Sequence, residues 1–238
     1  STLTAKNCIF RDNRAANHGG AIAAYASTLN LRASYGMLAS MAAGESEARD
    51  ESIPAAPLAP AATVCNPRVE LCSAFFNNVA DNNGNNTGDG GAIYNDGGTL
   101  SVNHTTLYTN TAYHGGAIYQ TGTDATSRVE NTLIYSNTST ASFGAGIRTA
   151  GGAFTVTHVT LAHNQNGAGY SQSNTNGYAY NSIAWGNTDG GFWITGGPLT
   201  GTCNIDQSAN VGLNIDPRFV DAANWDFHLL GDSPAIDA

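Results

Sequence analysis

The sequence predicts an all-β protein: a right-handed parallel β-helix of about eight coils with one non-repeat insertion. Gly and Asn supply 28 and 26 of the 238 residues, while charged residues make up only 11%. Both are poor helix formers and tolerate sharp corners, which disfavours a helical bundle. A pattern recurring six times, with its last four intervals between 23 and 32 residues, is typical of a solenoid.

Each copy of the pattern opens on a small polar residue or His and closes on Asn six residues later. An apolar side chain lies three residues before the closing Asn, as at Phe75, Leu107 and Ile134. We expect the closing residues to form a column at a corner, with side-chain amides hydrogen-bonded from coil to coil and left-handed backbone tolerated. These residues are Asn13, Asn78, Asn110, Asn137, Asn164 and Asn187.

A glycine-rich step follows each closing asparagine and predicts a further corner. Its clearest form is Gly-Gly-Ala-Ile, in which we expect the glycines to meet a positive φ or a close approach of two backbones. Alternating segments such as 100–103 and 154–157 indicate short strands between the corners. The glycines in the three clearest copies are Gly19, Gly20, Gly90, Gly91, Gly115 and Gly116.

The pattern divides the chain into three parts. Residues 1–32 hold the first coils, residues 33–70 break the repeat, and residues 71–238 hold the remaining coils and a closing segment. The composition of the insertion predicts a short acidic helix over 35–51 and an extended Pro/Ala spacer over 52–62. Such an insertion is either a tolerated surface loop or an arm that binds a partner or clasps another subunit.

The four cysteines allow one local cross-link. Cys65 and Cys72 flank a short loop where the repeat resumes, and a disulfide there would tie the insertion to the next coil. A Cys8–Cys72 bridge is the weaker alternative. Cys203 belongs to the far end of the stack, too distant from Cys8 for a disulfide.

Charge and hydropathy exclude several classes of function. The net charge of −9 argues against a nucleic-acid binder and against electrostatic binding to a membrane surface. No run of 18 apolar residues is present, so no transmembrane helix is predicted. Because the chain starts and stops within its pattern, we expect it to be processed from a longer precursor.

Two histidines in one column suggest a metal site, but the distance between them is too large for one. His104 and His158 are two coils apart with Asn131 between them, which places their Cα atoms roughly 9–10 Å apart. A zinc ion holds its ligand atoms at about 2 Å, so we interpret both histidines as polar substitutes for Asn, and no metal site is predicted. His18 and His114 precede glycine steps and are predicted to be solvent-facing corner residues.

The acids near the C-terminal coils do not form a predicted catalytic site. Enzymes that cleave glycans need clustered carboxylates, and nothing places two acids in one column of adjacent coils. Asp206 and Asp216 are predicted as turn and cap residues, and Asp189 lies close by in sequence. No cofactor is predicted, since calcium has no specific motif here.

Four tyrosines form candidate binding rows. Tyr94 and Tyr119 follow Gly-Gly-Ala-Ile, while Tyr108 and Tyr135 follow the apolar position of the repeat. Such rows can stack against sugar rings on an extended face. The alternative is that they are ordinary strand residues of an exposed sheet.

The motifs resemble two families of bacterial surface proteins. Phe10-Arg11-Asp12-Asn13 with Gly19-Gly20-Ala21-Ile22 is similar to the repeats of the chlamydial polymorphic membrane proteins. Residues 214–221, 226–230 and 233–237 look like the end of the choice-of-anchor Q family of right-handed β-helix proteins. The resemblance implies the β-helix fold and a secreted or surface-anchored location.

Together these observations predict a non-catalytic extracellular or cell-surface protein with an adhesive or structural role, self-assembling into a fibre or layer. Its expected partners are copies of itself, other surface proteins and glycans. The alternatives are a β-helix polysaccharide lyase or hydrolase, which would rest on Asp189, Asp206 and Asp216, and a passive carbohydrate-binding module, which would rest on the tyrosines.

Overall fold

The computed structural model describes residues 1–32, 73–81 and 83–236. In this part of the chain, short strands stack in parallel and in sequence order on three faces, which confirms the predicted parallel β-helix. Each coil passes from face A to face B to face C, with at most two residues between the described A and B strands and longer segments between the B and C strands.

Face A is the longest run of paired strands. It consists of β1 (Thr2–Lys6), β4 (Thr28–Arg32), β7 (Thr99–Asn103), the first half of β11 (Thr126–Tyr135), the first half of β14 (Ala153–Ala162), β16 (Asn176–Tyr180) and β19 (Leu199–Thr202). Each strand pairs with the next in this order, so residues one coil apart lie side by side. Val102, Val129 and Val156 are in register, as the repeat predicts.

Faces B and C complete each coil. Face B consists of β2 (Ile9–Arg11), β5 (Ser73–Phe76), β8 (Thr105–Tyr108), the second halves of β11 and β14, β17 (Ile183–Trp185) and β20 (Ile205–Asp206). Face C consists of β3 (Ile22–Tyr25), β6 (Ile93–Asp96), β10 (Ile118–Thr121), β13 (Ile147–Ala150), β15 (Tyr170–Gln172) and β18 (Phe192–Ile194). The short strands β9 (Thr111–Ala112) and β12 (Thr138–Ser139) pair between them.

The interior is a single apolar column bounded by the three faces. Leu100, Val129 and Phe154 enter it from face A, Leu107 from face B and Ile118 from face C, all essentially buried. Because strand side chains alternate, every second residue points inward, and the intervening Thr, Ser and Asn residues point outward.

Face A has seven rungs in the described residues, in line with the prediction of about eight coils. The coils end after β20. There β21 (Phe219–Asp221), the 3-10 helix η1 (Ala222–Asn224) and β22 (Asp226–Leu229) form an antiparallel hairpin. We call residues 219–229 the C-terminal hairpin. Phe227 packs on Tyr135 and Ala162 of face B, so the hairpin makes apolar contact with the side of the stack.

The described residues on either side of the predicted insertion lie at one corner of the stack. β4 ends at Arg32, which pairs with Lys6 and Asn103, and β5 begins at Ser73 beside Thr105. In the other described coils at most two residues separate these strands, such as His104 between β7 and β8. The predicted acidic helix, the Pro/Ala spacer, Cys65 and Cys72 all lie outside the described residues. Across the described ranges, no helix is long and apolar enough to cross a membrane.

Candidate functional site

The six closing asparagines form a ladder of amide hydrogen bonds. Each side-chain Nδ2 donates to the Oδ1 of the next coil, over 2.8 Å from Asn13 to Asn78 and 3.0 Å from Asn137 to Asn164. Each backbone N–H in this column donates to the same Oδ1, as from Asn110 to Asn137 at 3.0 Å. The ladder runs through Asn13, Asn78, Asn110, Asn137, Asn164 and Asn187 and ends where the backbone N–H of Asn187 donates to Gln207.

These asparagines do not have the predicted left-handed backbone. Positive φ falls on the residue before each, as at Thr109 and Ser136, and on the opening column, as at Asn131 and His158. The reason is geometric: the closing side chain turns into the interior to reach the next coil, and its neighbours make the bend. Asn110 and Asn137 are fully buried, so their amides serve the fold and cannot contact a ligand.

The corner glycines divide two tasks between them. The first of each pair, such as Gly90 and Gly115, has a positive φ, near 69° and 62°. The second has no room for a side chain: a Cβ on Gly91 would lie 2.1 Å from the carbonyl oxygen of Gly116. Gly19 and Gly20 repeat the same arrangement in the first coil.

The opening column contains His104 and His158 but brings no metal ligands together. His104 contacts the amide oxygen of Asn103, to which Asn131 also donates at 3.3 Å. His158 Nε2 lies 3.2 Å from the side-chain nitrogen of Asn181. Within the residues that the structure describes, no group of three or more His, Cys, Asp or Glu is arranged to hold a metal ion.

Tyr94 and Tyr119 lie one above the other on the outside of face C. Their rings stack at 5.7 Å with an interplanar angle of 2°, and His18 stacks on Tyr94 at 4.3 Å. Burial raises the pKa of both phenols, and the nearby Asp96 and Asp89 carboxylates act in the same direction. Tyr94 therefore packs against the rings of both Tyr119 and His18.

The prediction of solvent-facing histidines at this face is wrong. His18 and His114 flank Asp89 and are about a quarter exposed. His114 Nδ1 lies 2.8 Å from Asp89 Oδ1, and the Asp89 backbone N–H donates to His18 Nδ1 over 3.3 Å. The repeat pattern predicts both histidines at open corners. In the structure the Asp89 carboxylate, one coil away from each, contacts both rings and holds them against the stack.

Tyr108 and Tyr135 form a matching stack on face B. Their rings lie 5.2 Å apart at 4°, and Phe76 continues the row beyond Tyr108 at 4.9 Å. Trp225 and Phe227 of the C-terminal hairpin cover Tyr135. Burial raises the pKa of Tyr108 to about 12 and that of Tyr135 still further.

The four predicted tyrosines thus lie within the packing of the stack. Tyr94 and Tyr135 are only 6% and 3% exposed. Tyr108 and Tyr119 are half-buried. Sugar stacking at these residues stays a prediction.

The three candidate acids do not share an environment. Asp206 is fully buried, and its oxygens accept four backbone N–H groups, from Phe192, Ser208, Asn210 and Val211 at 2.7–3.2 Å. Asp189 and Asp216 are exposed. Asp206 closes the last coil and cannot touch a polymer in solution.

A cleft between the stack and the C-terminal segment is a concave site that the sequence did not indicate. It has a volume of about 470 Å³ and is lined by residues that include His163, Trp185, Gly186, Asp216, Arg218 and Phe219. We call it the flank cleft. One signal was visible: Trp185 follows the apolar position of its coil, as Tyr108 and Tyr135 do, and pairs with Ala162 in the same register column.

A comparison with known proteins bears on one coil. Residues 7–25 match the Chlamydia polymorphic membrane protein repeat. They extend from the corner before β2 to the end of β3. Together with the parallel sheets, the match supports a β-helix-like repeat protein and suggests a surface-exposed location. No curated protein and no solved structure matches the chain.

Proposed function

We propose that this chain is a surface-displayed β-helix module with an adhesive role and no catalysis of its own. The observation that carries the proposal is the position of the matched repeat. Residues 7–25 cover β2, the glycine corner and β3, and the same succession recurs in the later coils. Such a stack offers a long side surface made from repeated short units, which suits contact with extended partners.

The disposition of polar groups supports a contact role over turnover. The buried amides are used in the Asn ladder, and Asp89 is engaged by two histidines. The lyase or hydrolase alternative required Asp206, whose carboxylate is enclosed by backbone donors. The partners we propose are glycans and other surface proteins, and the C-terminal resemblance to the choice-of-anchor Q family belongs to the same proposal.

Stacking of copies through the C-terminal end is not part of the proposal. Residues after β20 already hydrogen-bond to it: the Asp206 backbone N–H donates to Leu213, and Leu213 donates to Asn204. Val211 packs against the core there. A second copy would have to displace these contacts before it could extend the stack.

Antibody labelling of intact source cells tests the location. We expect antibodies raised against the purified chain to label unpermeabilised cells, and the label to disappear after brief protease treatment. Labelling only after permeabilisation would contradict a surface role. A cytoplasmic protein labelled in parallel controls for cell integrity.

Beads coated with the chain test adhesion. We expect them to adhere to glycan-bearing cell surfaces more than beads coated with an unrelated acidic protein, and soluble chain to compete. Adherence no greater than the control would remove the adhesive role.

Acidic polysaccharides incubated with the chain and calcium should keep their length, whereas depolymerisation lost in Asp189→Ala or Asp216→Ala would favour the enzyme alternative.

A further inference from the structure

The geometry points to a saccharide-binding site in the flank cleft, formed by Trp185, His163, Asp216 and Arg218. The inference rests on the proposed adhesive role and gives it a location and a ligand class. The cleft lies where face B meets the segment that leads into the C-terminal hairpin. Concave sites with an aromatic wall and a few convergent polar groups are the usual places for small ligands.

Trp185 supplies the aromatic wall. Tyr108 and Tyr135, its counterparts in earlier coils, stack on each other, but Trp185 pairs with the small residue Ala162. No ring of the described residues stacks on its indole, which is partly exposed at the cleft. The indole is therefore available to pack against the apolar face of a sugar ring, and its N–H can donate a hydrogen bond.

Asp216 and Arg218 supply charged hydrogen-bonding groups to the lining of the cleft. Asp216 Oδ1 accepts the backbone N–H of Arg218 at 2.8 Å, which fixes the turn through Pro217. Arg218 Nη1 pairs with Asp232 at 2.5 Å. Each is thus held through one atom, while the second Asp216 oxygen and the remaining guanidinium N–H groups have no hydrogen bond within the described residues. Hydroxyl groups of a ligand can complete these contacts.

His163 and Gly186 also line the cleft, next to each other. Gly186 has φ near 71°, and a Cβ on it would lie 2.8 Å from the His163 ring, so only glycine allows this approach. Trp225 and Phe227 hold the other side of the ring. Burial lowers the pKa of His163, so the imidazole is neutral at pH 7 and has one donor and one acceptor nitrogen.

The charges select a neutral saccharide. Arg218 is paired with Asp232, so Asp216 leaves the polar wall with excess negative charge, and the chain carries −9 overall. An acidic sugar would be repelled, whereas neutral hydroxyls are good donors to a carboxylate. The cleft volume of about 470 Å³ fits one or two sugar rings, as a free sugar or as the end of a longer glycan.

Binding of neutral saccharides to the full chain tests the inference. The probes are an array of immobilised neutral mono- and disaccharides, followed by titration calorimetry with the free sugars that score. We expect saturable binding to at least one neutral sugar and weaker or absent binding to its uronic acid. Binding to the immobilised form alone would identify a glycan terminus as the ligand. Absence of binding to every neutral saccharide would overturn the site.

Three variants locate the binding. Trp185→Ala and Asp216→Asn should each weaken affinity at least tenfold, while Trp193→Ala should leave it within twofold. Trp193 is the matched control because it lies on face C and is 42% exposed. Asp216 is exposed, so its amide variant keeps the test valid if Trp185→Ala fails to fold. Unchanged affinity in Asp216→Asn, or an equal loss in Trp193→Ala, would overturn the assignment.

The two proposals fail in different ways. If coated beads do not adhere but neutral sugars bind and Trp185→Ala abolishes binding, the adhesive role fails and the site stands. If beads adhere equally well with Asp216→Asn and no neutral sugar binds, the site fails and the adhesive role stands.

Discussion

The repeating stack and the C-terminal hairpin are held by contacts of different kinds. In the tyrosine row of face B and in the Asn ladder, identical residues of successive coils pack on each other: the rings of Tyr108 and Tyr135 lie 4° apart, and Asn110 donates to Asn137. The hairpin meets the stack with unlike residues at steep angles, as Phe227 does against Tyr135 at 57°. Loss of a stack residue therefore affects the coils on both sides, whereas loss of a hairpin residue affects one flank.

The largest effect should follow from Gly91→Ala. The new Cβ would lie 2.1 Å from the carbonyl oxygen of Gly116, so two coils must separate. We expect a loss of about 4–5 kcal/mol in unfolding free energy, or failure to fold. Gly231→Ala, where the Cβ meets open space, should change stability by less than about 0.5 kcal/mol. Urea unfolding followed by circular dichroism measures the unfolding free energy of both variants. Similar losses in the two would contradict the close approach of the Gly91 and Gly116 backbones.

The next effect tests the ladder itself. Asn137→Ala removes the oxygen that accepts from Asn110 and the amide that donates to Leu107 and Asn164, leaving buried groups without partners. We expect a loss of about 3–4 kcal/mol. Asn13→Ala, at the exposed end of the ladder, should lose about 1 kcal/mol or less. Equal losses in the two variants would mean that the amides act singly and not as a buried column.

A third variant breaks the hairpin and spares the stack. Phe227→Ala removes the ring that packs on Tyr135 and Ala162, at a cost of about 3 kcal/mol to the docked hairpin. Hydrogen exchange should become faster in residues 219–229 and stay unchanged in β11 and β14. Val220→Ala, on the exposed side of β21, is the control. Faster exchange throughout β11 would show that the hairpin and the stack unfold as one unit.

The smallest expected effect is a pH dependence of the unfolding free energy, which arises from Tyr108 in the stack. Burial raises the folded-state pKa of Tyr108 to about 12, above its ordinary value of 10.0. Between pH 10 and 12 the unfolded chain therefore binds fewer protons than the folded one, so stability falls as pH rises; below pH 10 this contribution is fully present. Tyr108→Phe should reduce the slope of unfolding free energy against pH in that window relative to the unchanged chain. An unchanged slope would place the Tyr108 hydroxyl in solvent.

The repeating part of the molecule was predictable because the period itself carries the information. Once Asn110 and Asn137 occupy equivalent places in successive coils, parallel pairing brings them together without further knowledge. The glycine corners follow by the same reasoning, since each pair meets the pair one coil away. The order and register of the strands in the stack therefore follow from the spacing of the repeat.

The candidate site was not predictable in this way because it depends on contacts outside the repeat. Nothing in the spacing of Trp225 and Phe227 predicts that they fold back onto Tyr135, so the repeat alone leaves the tyrosine row open. The flank cleft arises where that same segment leaves Trp185 uncovered. Only the place of Trp185 in the Tyr108 and Tyr135 column was visible beforehand.

Cross-linking between coils tests the stack most directly. Thr99 and Thr126 are register partners with their hydroxyl oxygens 3.3 Å apart, and Thr28 lies one strand further along the same column. Under mild oxidation, the double variant Thr99→Cys, Thr126→Cys should form a disulfide, identified by peptide mass mapping. The double variant Thr28→Cys, Thr126→Cys should not, because two strand spacings of about 4.8 Å exceed the reach of a disulfide. A 28–126 bridge without a 99–126 bridge would contradict the stacked order of coils.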